Sequence, residues 1–200
     1  MVGRFARAIA AAAALTLVAV PIHAQLRSDW YAFLDAVKKR DGEKATSLIA
    51  TPGSTVLNTK DPSTGEGALH ILTRERDITW LGFMLAKGAK PDLQNKQGAT
   101  ALAVAAQIGW IEGADVLLRR RAKVDLPNNR GETPLILAVH NRDVPMVRLL
   151  LSGGADPKWT DSVAGYSALD YARQDNRSST LAKMLEAAKP AAKSVAGPGL

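Results

Sequence analysis

The chain has 200 residues, of which 46% are hydrophobic and 22% are charged, so it carries enough apolar material to build a core. It contains no cysteine. This excludes a disulfide framework, a thiolate nucleophile and a cysteine-based metal site. The formal net charge is +7.

The first 24 residues differ from the rest of the chain. Arg4 and Arg7 give a positive start, an apolar run follows at 8–20, and Ala24 is a small residue shortly after Pro21. This order predicts a Sec-type signal peptide, residues 1–24, cleaved after Ala24. The run is shorter than the roughly 20 residues of a membrane-spanning helix, although an uncleaved anchor stays the alternative.

Export would place the mature protein in the periplasm or outside the cell. Removing Arg4 and Arg7 with the signal leaves a net charge of +7 − 2 = +5. Such an excess is too small to predict binding to nucleic acid.

Two short motifs recur in phase along the rest of the chain. GETPLILAV at Gly131 returns as GATALAVAA at Gly98, as GYSALDYAR at Gly165 and, more weakly, as GEGALHILT at Gly65. The spacings are 98 − 65 = 33, 131 − 98 = 33 and 165 − 131 = 34 residues. The second motif, seen as LLRRRAKVD and LLLSGGADP, keeps the same period. The pattern predicts an array of stacked structural units.

Each unit is predicted to be a pair of short helices. Gly131 supplies a turn residue with positive φ, Thr133 can cap the following helix, and Pro134 suits its first position. Ala138 is small enough to let such helices stack closely. Gly154 is expected to end the second helix in the left-handed conformation.

A unit of about 33 residues with G-x-T-P-L and L-L-x-x-G-A-D resembles the ankyrin repeat. Tetratricopeptide repeats have a similar period but lack the hairpin glycine and the G-A-D cap. The resemblance implies an all-α solenoid of helix-turn-helix-hairpin units over residues 25–188. The residues at 189–200 have two prolines and little periodicity, which predicts a flexible tail. The expected units are a degenerate cap at 29–60, three repeats at 62–94, 95–127 and 128–160, and a second cap at 162–188.

The chain departs from the family's T-P-L-H sequence in every unit. Ile136 follows Leu135 in the best unit, and His70 follows Leu69 in a unit that has Gly67 in place of the threonine. We therefore expect the threonine–histidine hydrogen bond of the motif to be absent.

A second departure is Arg121, which stands where Gly88 and Gly154 stand in the neighbouring units. This position is expected to be left-handed, which costs a non-glycine residue about 1–2 kcal/mol.

Members of the ankyrin-repeat family bind other proteins, without catalysis, on the concave face formed by hairpins and inner helices. The resemblance implies that this chain binds a partner protein, not yet identified. The sequence leaves the oligomeric state open, with a monomer favoured. The expected contacts lie beside the turn glycines and at the ends of the inner helices. They are Thr64, Glu66, Arg74, Lys96, Gln97, Gln107, Ile108, Arg130, Glu132, His140, Asn141, Tyr166 and Gln174.

Two of these positions are expected to be central, Arg130 and Tyr166, because arginine and aromatic residues are enriched at interface hot spots. Ile108 is expected to be an apolar side chain that faces water.

No catalytic or metal-binding pattern accompanies the repeats. Only His70 and His140 remain after the signal peptide, and they lie two units apart. His70 is expected to pack inside and His140 to face the groove. Phosphate-loop, H-E-x-x-H and G-x-S-x-G motifs are absent from the sequence. We predict no enzymatic activity, no cofactor and no metal.

An alternative function depends on Arg119-Arg120-Arg121, with Lys123 nearby. The run falls at the end of an outer helix, where cations also complement the helix dipole. Together with the tail, it would make the chain a peripheral protein of a membrane or another anionic surface.

Overall fold

The structure is a computed structural model that describes residues 22–175, 177 and 179–188. Most of the predicted signal peptide and all of the predicted tail at 189–200 lie outside the described residues. The first helix begins at Ile22, so it includes the backbone around the predicted cleavage point after Ala24.

The described residues form ten α-helices, in five consecutive pairs. The inner helices are α1 (Ile22–Lys39), α3 (Ala68–Arg74), α5 (Ala101–Ile108), α7 (Pro134–His140) and α9 (Ala168–Gln174). The outer helices are α2 (Gly42–Ala50), α4 (Ile78–Ala86), α6 (Ile111–Arg119), α8 (Val144–Ser152) and α10 (Ser179–Ala187). A short 3-10 helix, Val56–Asn58, follows α2. Each inner helix packs on its own outer helix and on the next inner helix, so the predicted all-α solenoid is confirmed.

Side-chain hydroxyls cap the N-termini of three inner helices. Thr100, Thr133 and Ser167 each accept a hydrogen bond from the backbone N–H three residues later. These bonds satisfy donors that a helix start leaves without partners. Pro134 occupies the first position of α7, which needs no N–H. The predicted roles of Thr133 and Pro134 are confirmed.

Most outer helices begin at an aspartate. Asp41, Asp77 and Asp143 cap α2, α4 and α8 through their carboxylates. In α6 this position holds Trp110 instead, buried at 5% exposure. Its ring is so close to Gly113 that a Cβ there would lie 2.1 Å from it. The glycine within α6 is therefore required by the packing of Trp110.

The core is continuous between the two layers of helices. Small residues of the inner helices allow it: Ala105, Ala138 and Ala172 are buried, as their position in the repeat predicted. On the outer side, Val147 and Leu150 of α8 are also fully buried.

Backbone hydrogen bonds join successive hairpins into one row. The donors and acceptors are Lys96 N to Thr64 O (3.0 Å), Asn129 N to Gln97 O (2.9 Å) and Ser162 N to Arg130 O (2.9 Å). Within each hairpin, a side-chain oxygen accepts the turn's N–H groups from Asp61, Asn95, Asn128 or Asp161. The row and the inner helices together form the concave face.

Left-handed residues follow the outer helices, as predicted. The φ angles are 94° at Gly88, 63° at Arg121 and 90° at Gly154. The expectation for Arg121 is thus confirmed. Arg40, Arg76 and Arg142 also have positive φ, which was not expected from their sequence positions.

Candidate functional site

An open cavity of about 730 Å³ lies on the concave face, between the hairpins and the ends of α3, α5 and α7. It spans three repeats. Its walls are formed by Thr64, Glu66, Arg74, Asn95, Gln97, Ala99, Gln107, Asn128, Arg130, Glu132, Leu137, His140 and Asn141.

Nine of the thirteen predicted contact residues line this cavity. The other four, Lys96, Ile108, Tyr166 and Gln174, do not. Lys96 is exposed in its hairpin, and Gln174 is exposed at the end of α9, one repeat further along.

The expectation that Ile108 faces water is wrong. Its side chain is partly buried and packs against the core. Its carbonyl oxygen accepts a hydrogen bond of 2.6 Å from the guanidinium of Arg76, in the preceding repeat. Ile108 therefore belongs to the contact between repeats and not to the groove surface.

Glu132, one of the predicted contact residues, is buried, at 5% exposure. Its Oε2 accepts a hydrogen bond of 2.8 Å from Asn128 Nδ2, and its Oε1 lies 3.6 Å from an Arg130 nitrogen. Burial of a carboxylate is tolerated here because the hairpin itself supplies the donor. Glu132 therefore forms the floor of the cavity.

A second carboxylate–guanidinium pair lies at the other end of the cavity, where Arg74 pairs with Glu66. Each end of the cavity thus has an arginine that forms an ion pair with a glutamate. The cavity walls combine both signs of charge, which favours a polar partner surface over a strongly acidic or basic one.

Two carboxamides in the cavity wall are free for a partner. Gln97 and Gln107 are exposed. Within the described part of the chain, neither side chain makes a hydrogen bond to the protein. A carboxamide can both donate and accept, so each can bind a peptide group of another chain.

A smaller cavity of about 310 Å³ continues the concave face towards the last repeat. It is lined by Val139, His140, Arg142, Tyr171 and Asp175. His140 borders both cavities and is exposed, as expected of a groove residue.

Three aromatic rings meet beside this smaller cavity. Tyr171 makes edge-to-face contacts with His140, at 4.4 Å between centroids, and with Tyr166, at 5.5 Å. Tyr166 is 41% exposed. An exposed ring supported by other rings is a suitable anchor for a partner.

The hydroxyl of Tyr171 fixes the cluster by donating a 2.6 Å hydrogen bond to Asp161 Oδ2. This bond, with burial, raises the pKa of Tyr171 to about 12. Burial by itself would raise the pKa of Asp161, but Tyr171 and the turn's N–H groups outweigh it and lower that pKa. The pair is a structural clamp on the last hairpin.

His70 serves the fold. It is 1% exposed, its Nδ1 accepts from Gly67 N at 3.2 Å, and its Nε2 bonds the carbonyl of Ala99 at 2.9 Å. The expectation that His70 packs inside is confirmed. Because Gly67 has no hydroxyl, the threonine–histidine bond of the family is absent in this repeat.

Tyr171, Asn95 and Asn128 line the concave face but were not predicted from the sequence as site residues. Both asparagines lie three residues before a turn glycine, so their spacing was a usable signal. Tyr171 occupies the position of Leu137 in the inner helix one repeat earlier, and a tyrosine at an apolar position was the available sign.

Within the described ranges, no cluster of histidine, aspartate and glutamate is arranged to hold a metal ion. In the same residues, no helix is both long and apolar enough to span a bilayer.

Comparison with known proteins agrees with this architecture. A family model described as ankyrin repeats matches residues 69–161 and 112–194, more than half of the chain. An ankyrin repeat-containing protein of Treponema pallidum (strain Nichols) is 35% identical over 113 residues. The match covers 56% of this chain and 38% of that protein, so the chain spans well under two thirds of its relative. Ankyrin repeats are scaffolds for protein–protein interaction, and this chain belongs to the ankyrin-repeat family.

Proposed function

We propose that this protein is a non-catalytic scaffold of the cell envelope that holds a partner protein on its concave face. The observation that carries the proposal is the 730 Å³ cavity, into which nine residues chosen from repeat positions converge. Stacked repeats build extended concave surfaces of this kind, which suit a polypeptide better than a small molecule.

The two ends of the concave face offer different contacts. The larger cavity presents the carboxamides of Gln97 and Gln107 and the guanidinium of Arg130. The smaller cavity presents the ring cluster with Tyr166 at its edge. A partner with an apolar side chain next to an exposed stretch of main chain would use both ends.

We also propose that this chain has no catalytic activity. The family is typically non-catalytic. His70 is buried and held by two backbone groups, so it cannot exchange a proton with a substrate in the groove. His140 lies beside Tyr171, whose hydroxyl is already bonded to Asp161.

Location in the envelope is proposed from the N-terminal residues alone, with their basic start, apolar run and Ala24. Intact-mass measurement on protein purified from its native source tests this part. A mature chain starting at Gln25 is expected, and a chain that retains Met1 would contradict cleavage.

Partner binding is tested by replacing Arg130 and Tyr166 together with alanine and capturing partners from an envelope fraction. Capture should weaken by on the order of 2 kcal/mol, as for hot-spot residues. The thermal unfolding transition should stay nearly unchanged because both side chains are exposed. A photo-crosslinking residue at position 107 should label the same partner, whereas one at Glu112, on an outer helix, should not.

The matched control is replacement of Arg119 and Arg120 by alanine, which removes two arginines from the outer side. Capture that survives the Arg130/Tyr166 change but is lost in this control would show that the concave face is not the binding surface.

A further inference from the structure

A second exposed surface lies where the outer helices α4 and α6 end. We call it the basic edge; it consists of Lys87, Lys90, Arg119, Arg120, Arg121 and Lys123, all exposed. The pairs Lys87/Arg120 and Lys90/Lys123 are each 33 residues apart, one repeat, so they lie side by side in successive units. The structure thus extends the arginine run of α6 to a neighbouring repeat.

The cations of the basic edge have few partners inside the protein. Arg119 pairs with Asp115, and the Lys87 ammonium lies 5.4 Å from the Phe83 ring centroid. For the other four side chains, the described residues provide no ion pair or hydrogen bond. Their charges are therefore free for an external partner.

Arg121 is the most informative member. Among the described residues, the other arginines with positive φ each reach an acceptor in the next repeat. Arg40 bonds Asp77 at 2.5 Å, Arg76 bonds the Ile108 carbonyl, and Arg142 pairs with Asp175. Arg121 occupies a strained, glycine-type position, φ 63°, without such a contact. Strain that no internal contact explains points to a role in binding.

Helix dipoles do not account for the whole surface. They favour cations only within the last turn of a helix. Lys90 and Lys123 lie beyond that turn, four residues after Ala86 and Arg119 end their helices. The charge therefore follows the edge of the repeats and not only the helix ends.

We propose that the basic edge binds the anionic headgroups of a membrane surface. Neither cavity of the concave face includes these residues, so the basic edge is separate from the surface proposed to hold the partner protein. Long, unpaired side chains in a row across two repeats match phosphates spread over a plane. The edge belongs to the outer layer of helices, so a partner protein could occupy the concave face at the same time.

Vesicle co-sedimentation of the full chain tests the proposal. Phosphatidylcholine vesicles are compared with phosphatidylcholine–phosphatidylglycerol vesicles in a two-to-one ratio, at about 100 mM salt, where screening extends over about 10 Å. The wild-type protein should bind the anionic vesicles only and be released at high salt. Each cation near such a surface contributes about fivefold in affinity. The variant Arg120→Gln, Arg121→Gly, Lys123→Gln should therefore bind about 100-fold more weakly.

The control variant removes three exposed lysines elsewhere: Lys44→Gln, Lys158→Gln, Lys183→Gln. It has the same net charge as the test variant and should keep most of the binding. If both variants lose the same amount of vesicle affinity, binding depends on the net charge of the protein and not on the basic edge, which overturns the proposal. So would wild-type protein that does not prefer anionic vesicles.

Binding to duplex DNA is measured in parallel, because the phosphates of nucleic acid are the other anions that the basic edge could bind. If DNA binds more tightly than the vesicles under the same salt and the test variant loses that binding, the basic edge is a nucleic-acid surface and the membrane proposal is wrong. Circular dichroism of both variants checks that they are folded before binding is compared.

Discussion

An internal hairpin and the last hairpin of the stack carry the same glycine for different reasons. Gly131 and Gly165 have similar φ angles, 78° and 71°. A Cβ on Gly131 would lie 2.4 Å from the amide nitrogen and Oγ of Ser162, in the next hairpin. A Cβ on Gly165 would meet no described atom within 4 Å. One motif thus encodes turn conformation in every repeat, and close stacking only where another repeat follows.

The largest expected effect comes from adding a methyl group at these two positions. Gly131→Ala imposes left-handed strain of about 1–2 kcal/mol. It also forces the backbone of the next hairpin away, which costs a further 1–3 kcal/mol by the order of magnitude of overpacking. Gly165→Ala should cost only the first amount. Urea unfolding of both variants measures the difference, and equal losses would show that hairpin stacking contributes little.

Internal and terminal repeats also differ at the third residue after the cap of the inner helix, which is His70 in α3 and Asp170 in α9. His70 links its own cap to the next repeat, through Gly67 N and the Ala99 carbonyl. In the last repeat, Asp170 accepts hydrogen bonds from the N–H and the hydroxyl of Ser167 and, among the described residues, from no other group, so this cap closes on itself. Burial lowers the pKa of His70, whereas the Ser167 hydrogen bonds lower the pKa of Asp170.

Replacement of His70 by alanine should lower the free energy of unfolding by about 2 kcal/mol, since the buried N–H of Gly67 and the partly buried carbonyl of Ala99 lose their partner. In the wild type, the unfolded chain binds more protons than the folded one between the lowered folded pKa of His70 and the ordinary value of 6.5. Stability should therefore fall as the pH drops below 6.5. The Asp170 cap should weaken only below pH 3.8.

The measurement is urea unfolding at several pH values on the wild type and His70→Gln, which retains a donor and an acceptor but does not titrate. The variant should show a smaller loss of stability between neutral and mildly acidic pH. An equal loss in both proteins would assign the pH dependence to other groups.

Local features of the repeat were predictable from sequence, and so was burial at its scaffold positions. Burial that depends on contacts outside the repeat pattern was not. Thr133 and Arg121 were identified correctly because a cap and a left-handed position depend on a few neighbouring residues. Ile108 was misplaced because its burial depends on the repeat next to it. The burial of Glu132 was not predicted because it depends on a donor across the hairpin, Asn128. Tyr171 was missed because it occupies a scaffold position of the inner helix while also bordering the groove.

The residues that follow the outer helices differ between repeats in the same way, since Gly88 and Gly154 adopt the left-handed conformation without strain and Arg121 does not. Arg121→Gly tests this difference. Since the Arg121 side chain makes no ion pair or hydrogen bond with the described residues that would offset the strain, the variant should be more stable by about 1 kcal/mol. A higher urea midpoint is the expected result. Gly88→Ala, the reverse change in the preceding repeat, should lower the midpoint. An unchanged midpoint in both variants would mean that these positions carry no strain.

The smallest expected effect concerns a side-chain oxygen that recurs in successive repeats and accepts a backbone N–H of the repeat that follows. Asn58, Asp92 and Asp125 each accept a backbone N–H from the following repeat. The donors belong to Lys90, Lys123 and Asp156, so only Asp125 faces another acid. Burial, with the Asp156 charge, raises the pKa of Asp125, although the Asp156 N–H acts in the opposite direction.

Asp125→Asn should therefore stabilise the protein at neutral pH, by about 0.5 kcal/mol, the order of a partly exposed charge interaction. An asparagine oxygen can accept the same N–H, as Asn58 does for Lys90 at 2.8 Å. The folded state binds more protons than the unfolded chain between pH 3.8 and the raised pKa, so the wild type loses stability as the pH rises through that window. The gain from the variant should accordingly shrink as the pH falls towards 3.8.

Asp92→Asn is the matched control, because its partner residue is Lys123 and no repulsion is relieved. If both variants gain equally at neutral pH, the facing acid is not the cause, and the two contacts between repeats are energetically alike.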